Sequence, residues 1–298
     1  MDSGTRYLLL ANPSSAGGRG IELLPRVERA FTERGLERRT VRTRGIEHAC
    51  AEALAGAGEG EIPVVMSGDG LVGQVGGSLA GSQAPLGIIP AGRGNDLARV
   101  LGIPVEPEAA IEVLATGIER PIDVGEANGK RFLGVASCGF DSDANRIANE
   151  ARWVKGRLVY AYAALRALAT WKPARFTLTL DGARHEFSGY SVAAANSAAF
   201  GGGMFVAPDA QLDDGQLDVV CVAQTSKLRY LRGLPKVFDG SHVSEEQVSV
   251  ARAAEVTIEA DRTFAVYADG DPLTDLPATV RILSRALRVI APAPEPPS

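Results

Sequence analysis

Along the first 120 residues, short apolar runs alternate with stretches in which apolar residues recur at helical spacing. The runs are Tyr7 to Ala11, Ile62 to Met66 and Leu86 to Ile89, each with the length of a strand, and the polar stretch Arg38 to Thr43 reads as a further strand between the first two. Between them, Leu24, Val27 and Phe31 mark a helix that Gly35 ends, and Glu47 to Ala55 marks a second. Leu71, Val72, Val75 and Leu79 mark a third, over Leu71 to Ala80, and Leu97 and Leu101 a fourth. Strands alternating with helices predict a parallel, doubly wound α/β sheet. From Pro121 onward the pattern changes to short runs separated by turn residues: Arg131 to Ala136, Phe176 to Leu180, Glu186 to Ala194, Leu217 to Val222, Val256 to Ile258, Phe264 to Tyr267 and Val280 to Ile290. These predict a mainly antiparallel β-sandwich, interrupted by helical segments at about Trp153 to Trp171 and Lys227 to Phe238. The expected organisation is an α/β domain over 1–122, a β-sandwich domain over 123–290 and a disordered Pro-rich tail over 291–298.

Three of the predicted strands run directly into small, glycine-bearing loops. These are Asn12-Pro13-Ser14-Ser15-Ala16-Gly17-Gly18, Ser67-Gly68-Asp69-Gly70, and Pro90-Ala91-Gly92-Arg93-Gly94-Asn95-Asp96. In an open α/β sheet the carboxyl ends of the strands form the ligand crevice. A glycine turn that feeds a helix presents bare amides to an anion. One such loop is as readily an ordinary βα turn; three at one sheet edge favour a phosphate site. Asp96 and Arg99 open the fourth helix, where capping explains Asp96 as well as chemistry does.

Composition narrows the class. Of 298 residues, 45% are hydrophobic and 22% charged, a globular balance. A net charge of −5 argues against nucleic acid as the main partner. Cys50, Cys138 and Cys221 are odd in number and far apart, and His48, His185 and His242 are scattered, so neither a disulfide framework nor a zinc site is expected. The absence of a secretory or membrane-spanning pattern gives a cytoplasmic expectation. Two acidic turns remain: Asp213-Asp214-Gly215-Gln216-Leu217-Asp218, and Asp269-Gly270-Asp271-Pro272. Each reads as a hairpin turn; the first also offers the oxygen ligands of a hard cation, and the second a carboxylate that could serve as a general base. The segment 151–180 carries Arg152, Lys155, Arg157, Arg166, Lys172 and Arg175 without an acidic residue, interleaved with Trp153, Tyr160, Tyr162 and Trp171. It suits an anionic membrane surface or a core helix with a basic rim.

The order of these motifs resembles the lipid kinase family of bacterial diacylglycerol kinases and eukaryotic sphingosine and ceramide kinases. Asn12-Pro13 looks like the start of its NPxSG element and Ser67-Gly68-Asp69-Gly70 like its GGDGT motif. Pro90 to Arg99 looks like its PxGTxNDFAR stretch, and Asp269-Gly270-Asp271-Pro272 stands where the family has DGEP. Ile122-Asp123-Val124-Gly125, Gly139-Phe140-Asp141, Gly201-Gly202-Gly203 and Asp213 to Asp218 fall in the same order.

The resemblance implies an ATP-dependent lipid kinase acting most readily on diacylglycerol, with its active site in a cleft between two domains. ATP would be bound by Asn12, Thr43, Ser67, Gly68, Asp69, Gly70, Leu71, Val72, Gly73, Gly92, Arg93, Asn95 and Asp96. Asp271 would be the catalytic base, with Asp123 in support. Mg²⁺ would take the Asp214 carboxylate and the carbonyls of Gln211 and Gln216. The partner would be a membrane lipid reached peripherally through 151–180, and a homodimer is compatible with the sequence. Four departures from the family cover five positions: Leu71 and Arg93 stand for threonine, Gly73-Gln74 for Asn-Glu, and Asp271 for glutamate. A sphingosine- or ceramide-type kinase, a catalytically weak lipid- or nucleotide-binding protein on the same fold, and an NAD kinase are the alternatives.

Overall fold

The computed structural model describes residues 4–140, 142 and 171–293. Most of the basic and aromatic segment 151–180, with Arg152, Lys155, Arg157 and Arg166, lies outside the described residues, as does the tail from 294. The chain divides into two compact units. The first runs to Val124 and takes in Leu212–Asp214 and the chain from Leu283 on. The second comprises Gly125–Gln211 and Gly215–Ile282.

In the first unit, β1 (Arg6–Ala11), α1 (Arg19–Glu33), β2 (Glu37–Arg42), α2 (Ile46–Gly58), β3 (Glu61–Ser67), α3 (Asp69–Leu79), β4 (Pro85–Pro90), α4 (Asp96–Val100) and α5 (Pro107–Thr116) alternate as expected. The strands lie parallel in the order β2-β1-β3-β4. Leu8, Leu9, Leu10, Val64, Val65, Met66, Leu86, Ile88 and Ile89 are buried, because helices cover both faces of the sheet. This is why these strands read as continuous apolar runs rather than alternating ones. At the edge, β2 has the sequence ERRTVR with an alternating exposed pattern, and its charges blunt further pairing. Leu24, Val27 and Phe31 of α1 pack inward, and Phe31 meets Tyr7 edge-on at 5.7 Å. Tyr7 in turn donates its hydroxyl to the Leu114 carbonyl of α5 at 2.9 Å.

The second unit is antiparallel. β5 (Ile118–Ala127) enters it and pairs with β6 (Lys130–Phe132); β7 (Val135–Gly139), β8 (Ala174–Leu180), β9 (Ala183–Ala195) and β10 (Leu217–Ala223) follow. Then come α6 (Lys227–Gly233), 3-10 turns at Leu234–Phe238 and Ser241–Ser244, and β11 (Val248–Ala253), β12 (Glu255–Ala260), β13 (Ala265–Ala268), β14 (Asp271–Asp275) and β15 (Ala278–Ala291). The thirteen-residue β9 serves three neighbours: Ala183 to Gly189 pairs with β8, Ser191 to Ala195 with β7, and Gly189 to Ala195 with β10. One sheet face buries Trp171, Phe176, Tyr190, Val192, Val219, Tyr230, Val256, Phe264 and Val280. On the opposite face Val135, Ala193, Ala195 and Val220 pack with Ala207 and Ala210 of the 196–216 loop.

Three details differ from the sequence expectation. The run Arg131 to Ala136 is two strands, because Gly134 between them abuts Asp269, whose Oδ1 would lie 2.3 Å from any Cβ at that position. Ala291, assigned above to the tail, is buried at the end of β15. The end of β15 returns to the first unit, where Arg288 and Val289 pair parallel with Pro85 and Leu86 of β4.

Candidate active site

In the first unit the loops after β1, β3 and β4 touch one another. Asn12 donates its backbone N–H to the Met66 carbonyl at 3.3 Å and its side-chain amide to Ser67 Oγ at 3.1 Å. Its own Oδ1 accepts from Ser14 N–H at 3.0 Å, which fixes the start of the glycine loop. The buried Ser15 hydroxyl donates to the Ala91 carbonyl at 2.7 Å, and Ala91 N–H donates to the Ser67 carbonyl at 2.9 Å. Thr43, buried just past β2, donates its N–H to the Ala11 carbonyl at 2.8 Å.

Gly68 and Gly92 bring the second and third loops together backbone to backbone. A Cβ on Gly92 would lie 2.4 Å from Gly68 Cα and 2.9 Å from Asn95 Oδ1; one on Gly68 would lie 3.0 Å from Gly92 Cα. Gly92 has no room for a side chain, and one at Gly68 would sit tight against the Gly92 backbone. Asn95 holds the third loop closed: its Oδ1 accepts from Gly92 N–H at 2.8 Å and its Nδ2 donates to the Gly92 carbonyl at 3.2 Å. It does so in the left-handed conformation, φ 54°, which asparagine tolerates better than most residues.

Gly68 precedes α3, whose first N–H groups lack intrahelical acceptors by helix geometry. Leu71, Val72 and Gly73 are buried in the opening turns of α3; Val72 N–H already donates to the Gly68 carbonyl at 3.2 Å, so the N–H groups without an intrahelical acceptor are those of Asp69, Gly70 and Leu71. The Asp69 side chain faces the start of α4, where its Oδ1 accepts from Leu97 N–H at 3.3 Å. Burial, reinforced by the charge of Asp96, holds the Asp69 carboxyl above the usual range, although amides of Leu97, Asn95 and Asp96 pull it the other way. Asp96 is buried, and Arg99 donates to the Gly94 carbonyl at 3.3 Å. The Arg93 side chain is exposed on the same loop. Asn12, Thr43, Ser67, Gly68, Asp69, Gly70, Leu71, Val72, Gly73, Gly92, Arg93, Asn95 and Asp96 are thus gathered on loops and helix starts of one unit.

Asp123 also belongs to this unit and is fully buried on β5. Its Oδ1 accepts from Arg285 N–H at 2.6 Å, and its N–H donates to the Leu212 carbonyl at 2.6 Å. Arg285 has φ 51°, so the carboxylate secures a left-handed kink in β15. Asp213 pairs with Arg120 at 3.5 Å. Asp214 is half-buried beside Gly215, whose φ is 72°. The donor chemistry of this turn, one carboxylate with peptide carbonyls at Gln211 and Gln216, suits a hard cation. Among the described residues no group of three or more His, Cys, Asp and Glu side chains gathers into a metal cluster.

In the second unit, Asp271 opens β14 directly after the Asp269-Gly270 turn, both of whose residues have positive φ, 52° and 95°. Asp271 reaches solvent, yet neighbouring protein atoms shield its carboxyl enough to raise it above the usual carboxylate range. The turn is anchored by Asp269, whose two oxygens accept from Leu133 N–H at 3.1 Å and Gly134 N–H at 3.0 Å. Asn196, fully buried, donates to the Leu133 carbonyl at 2.8 Å and completes the support. Sequence reasoning singled out Asp271 but not the anchoring roles of Asp269 and Asn196, nor Ser15. The Asp-Gly turn was a local signal for Asp269; the contact of Asn196 with a segment 63 positions away had none.

Residues 6–127 match the model of the diacylglycerol kinase catalytic domain, and residues 134–291 that of the YegS C-terminal NAD kinase beta sandwich-like domain. The diacylglycerol kinase of Mycobacterium tuberculosis (strain ATCC 25618 / H37Rv) is 37% identical over 292 residues, covering 95% of this chain and 94% of the relative. That of Bacillus subtilis (strain 168) is 28% identical over 298 residues, covering 96% of each. A solved structure of a diacylglycerol kinase from Bacillus anthracis str. Sterne shares the fold, with TM-score 0.74 at 21% identity over 96% of each chain. The chain belongs to the diacylglycerol kinase family of lipid kinases.

Proposed function

We propose that the protein transfers the γ-phosphate of ATP to the free hydroxyl of diacylglycerol, giving phosphatidic acid. The observation that carries this reading is the contact between Gly68 and Gly92, which brings two adjoining loops together backbone to backbone beside the start of α3. Phosphoryl transfer depends on positioning and charge neutralisation more than on covalent chemistry, and bare amides at a helix start supply both. The Asp69 carboxylate is engaged at the start of α4, where its Oδ1 accepts from Leu97 N–H. Arg93, in place of the family's threonine, adds a mobile cation on the same loop.

Asp271 is the base that accepts the proton of the attacking hydroxyl. Its raised carboxyl gives it more proton affinity than an ordinary aspartate, and Asp269 holds the turn that carries it. Asp123 supports the reaction by holding the β15 kink at Arg285. Asp214, with the carbonyls of Gln211 and Gln216, would hold Mg²⁺; bound there, the ion would supply positive charge. A membrane lipid as substrate makes the enzyme a peripheral one. Among the described residues no helix is long and apolar enough to cross a membrane.

The test is transfer of labelled γ-phosphate from ATP, with Mg²⁺, to a panel in mixed micelles: diacylglycerol, monoacylglycerol, sphingosine, ceramide and phosphatidylinositol, with NAD as a soluble control. Labelled phosphatidic acid is expected. Labelled sphingosine, ceramide or NAD instead would reassign the substrate, and ATP binding without any labelled product would refute the kinase reading.

A further inference from the structure

The segment from Lys227 to Phe238 is helical almost throughout, α6 passing directly into the 3-10 turn Leu234–Phe238. It has two apolar sides. Tyr230 is buried in the aromatic core of the second unit, and Leu231 and Leu234 pack against that core. This side accounts for the attachment of the segment to its own unit. Leu228, Pro235 and Phe238 recur at helical spacing on the other side, and all three are exposed. Leu228 is 58% and Phe238 51% exposed, and apart from Val250 on β11 they are the large exposed hydrophobic residues of this unit among the described residues.

The outward stripe is framed by cations. Lys227, Arg229, Arg232 and Lys236 fall within these residues, with no Asp or Glu, in a chain whose net charge is −5. Arg229 pairs with Glu246 at 3.3 Å and Lys236 with Glu245, but Arg229, Glu246 and Lys236 stay open to water, so both pairs can be exchanged for lipid phosphates. A core-facing helix has no use for a second apolar stripe. A helix lying in a bilayer interface does: its apolar side chains enter the acyl boundary while the flanking cations meet anionic head groups.

We propose that Lys227–Phe238 is an interfacial anchor that seats the second unit on an anionic lipid surface, with Leu228 and Phe238 inserted and Arg229, Arg232 and Lys236 on the head groups. This deepens the lipid-kinase reading, on which its biological sense rests, and it is separate from any contribution of 151–180.

The test is co-sedimentation of the full chain with vesicles of phosphatidylcholine alone or with phosphatidylglycerol added. Three variants are compared with wild type: Leu228→Ser/Phe238→Ser, Arg229→Gln/Arg232→Gln, and Arg152→Gln/Lys155→Gln/Arg157→Gln. The expected result is binding to the anionic vesicles that falls about tenfold or more in each of the first two variants, with thermal melting unchanged because these side chains are exposed. Binding unchanged in both, or lost only in the 152–157 variant, overturns the proposal. Turnover of a short-chain diacylglycerol dispersed as monomers separates the two readings. Retention of that turnover with unchanged vesicle binding would sink the anchor alone; its absence in wild type would sink the kinase reading instead.

Discussion

Gly92→Ala is the sharpest probe of the loop cluster. Gly92 does not have a positive φ, so alanine fits its backbone conformation and any effect must come from the added methyl group. That methyl would stand 2.4 Å from Gly68 Cα, where ordinary contact begins at 3.4 Å, so the two loops must separate by about 1 Å. The obstacle is backbone on one side and the Asn95 side chain, which closes the loop, on the other; neither can swing aside as a flexible side chain would. Overpacking of this kind costs about 1–3 kcal/mol. Gly58→Ala is the matched control. Gly58 ends α2 with nothing within 4 Å of an added Cβ, and gains up to about 1 kcal/mol from helix propensity. Urea unfolding followed by far-UV circular dichroism gives the stability difference, and isothermal calorimetry gives ATP affinity. Gly92→Ala is expected to lose both stability and ATP affinity, and Gly58→Ala neither. If Gly92→Ala matched wild type in both measurements, the backbone contact would not be what shapes the proposed phosphate site.

Asp271→Asn should lower turnover about 10²–10⁴-fold while leaving urea stability and ATP affinity intact, and the wild-type rate should rise with pH through a value above that of an ordinary aspartate, because burial raises this carboxyl. Asp269→Ala strands the N–H groups of Leu133 and Gly134, costing about 1–3 kcal/mol; kcat should fall with the KM for ATP little changed, since the hairpin carrying Asp271 loosens. Asp69 has a folded-state carboxyl raised by burial, so its contribution to stability is fullest below its unfolded pKa of about 3.9 and is lost as pH rises through the folded value. Asp69→Asn, whose amide oxygen can still accept from Leu97, should therefore flatten the stability profile above that range in pH-dependent urea titrations. Cys221 is buried and its thiol is pushed up to about 12 by burial, so a thiolate-directed reagent should leave it unlabelled until the protein is unfolded, as mass spectrometry would show.

The sequence was most legible where structure is local. The runs at Leu8 to Leu10, Val64 to Met66 and Leu86 to Ile89 are strands because helices cover both sheet faces, and that burial is written directly as unbroken hydrophobicity. The glycine loops were legible for the same reason: each follows its strand without an intervening element. What escaped was long-range. Nothing near Gly92 signals that it will meet Gly68, and nothing near Asp123 signals a kink at Arg285, 162 positions later. β14 was missed because Asp271-Pro272-Leu273-Thr274-Asp275 alternates weakly and opens on a charge and a proline, so only its pairing with β13 makes it a strand. α5 was missed because Pro107 and the short Ile111–Leu114 run lay just before the composition change near Pro121.

The path of β15 bears on how the chain matures. Its opening residues pair with β12, from Arg281 against Glu255 to Ala278 against Ile258, and its closing residues complete the parallel sheet beside β4. On the ribosome, β1 to β4 emerge early, but β4 must wait for Arg288 and Val289 before its outer hydrogen bonds are satisfied. Until then the nascent chain carries an open, apolar strand edge, the kind of surface that recruits chaperones or other unfinished chains. Cutting the gene after Val124 would leave β4 without its Arg288–Val289 partner. The last strand of the α/β half arrives only when translation has passed through the β-sandwich, which ties the maturation of the glycine loops to synthesis of almost the whole chain.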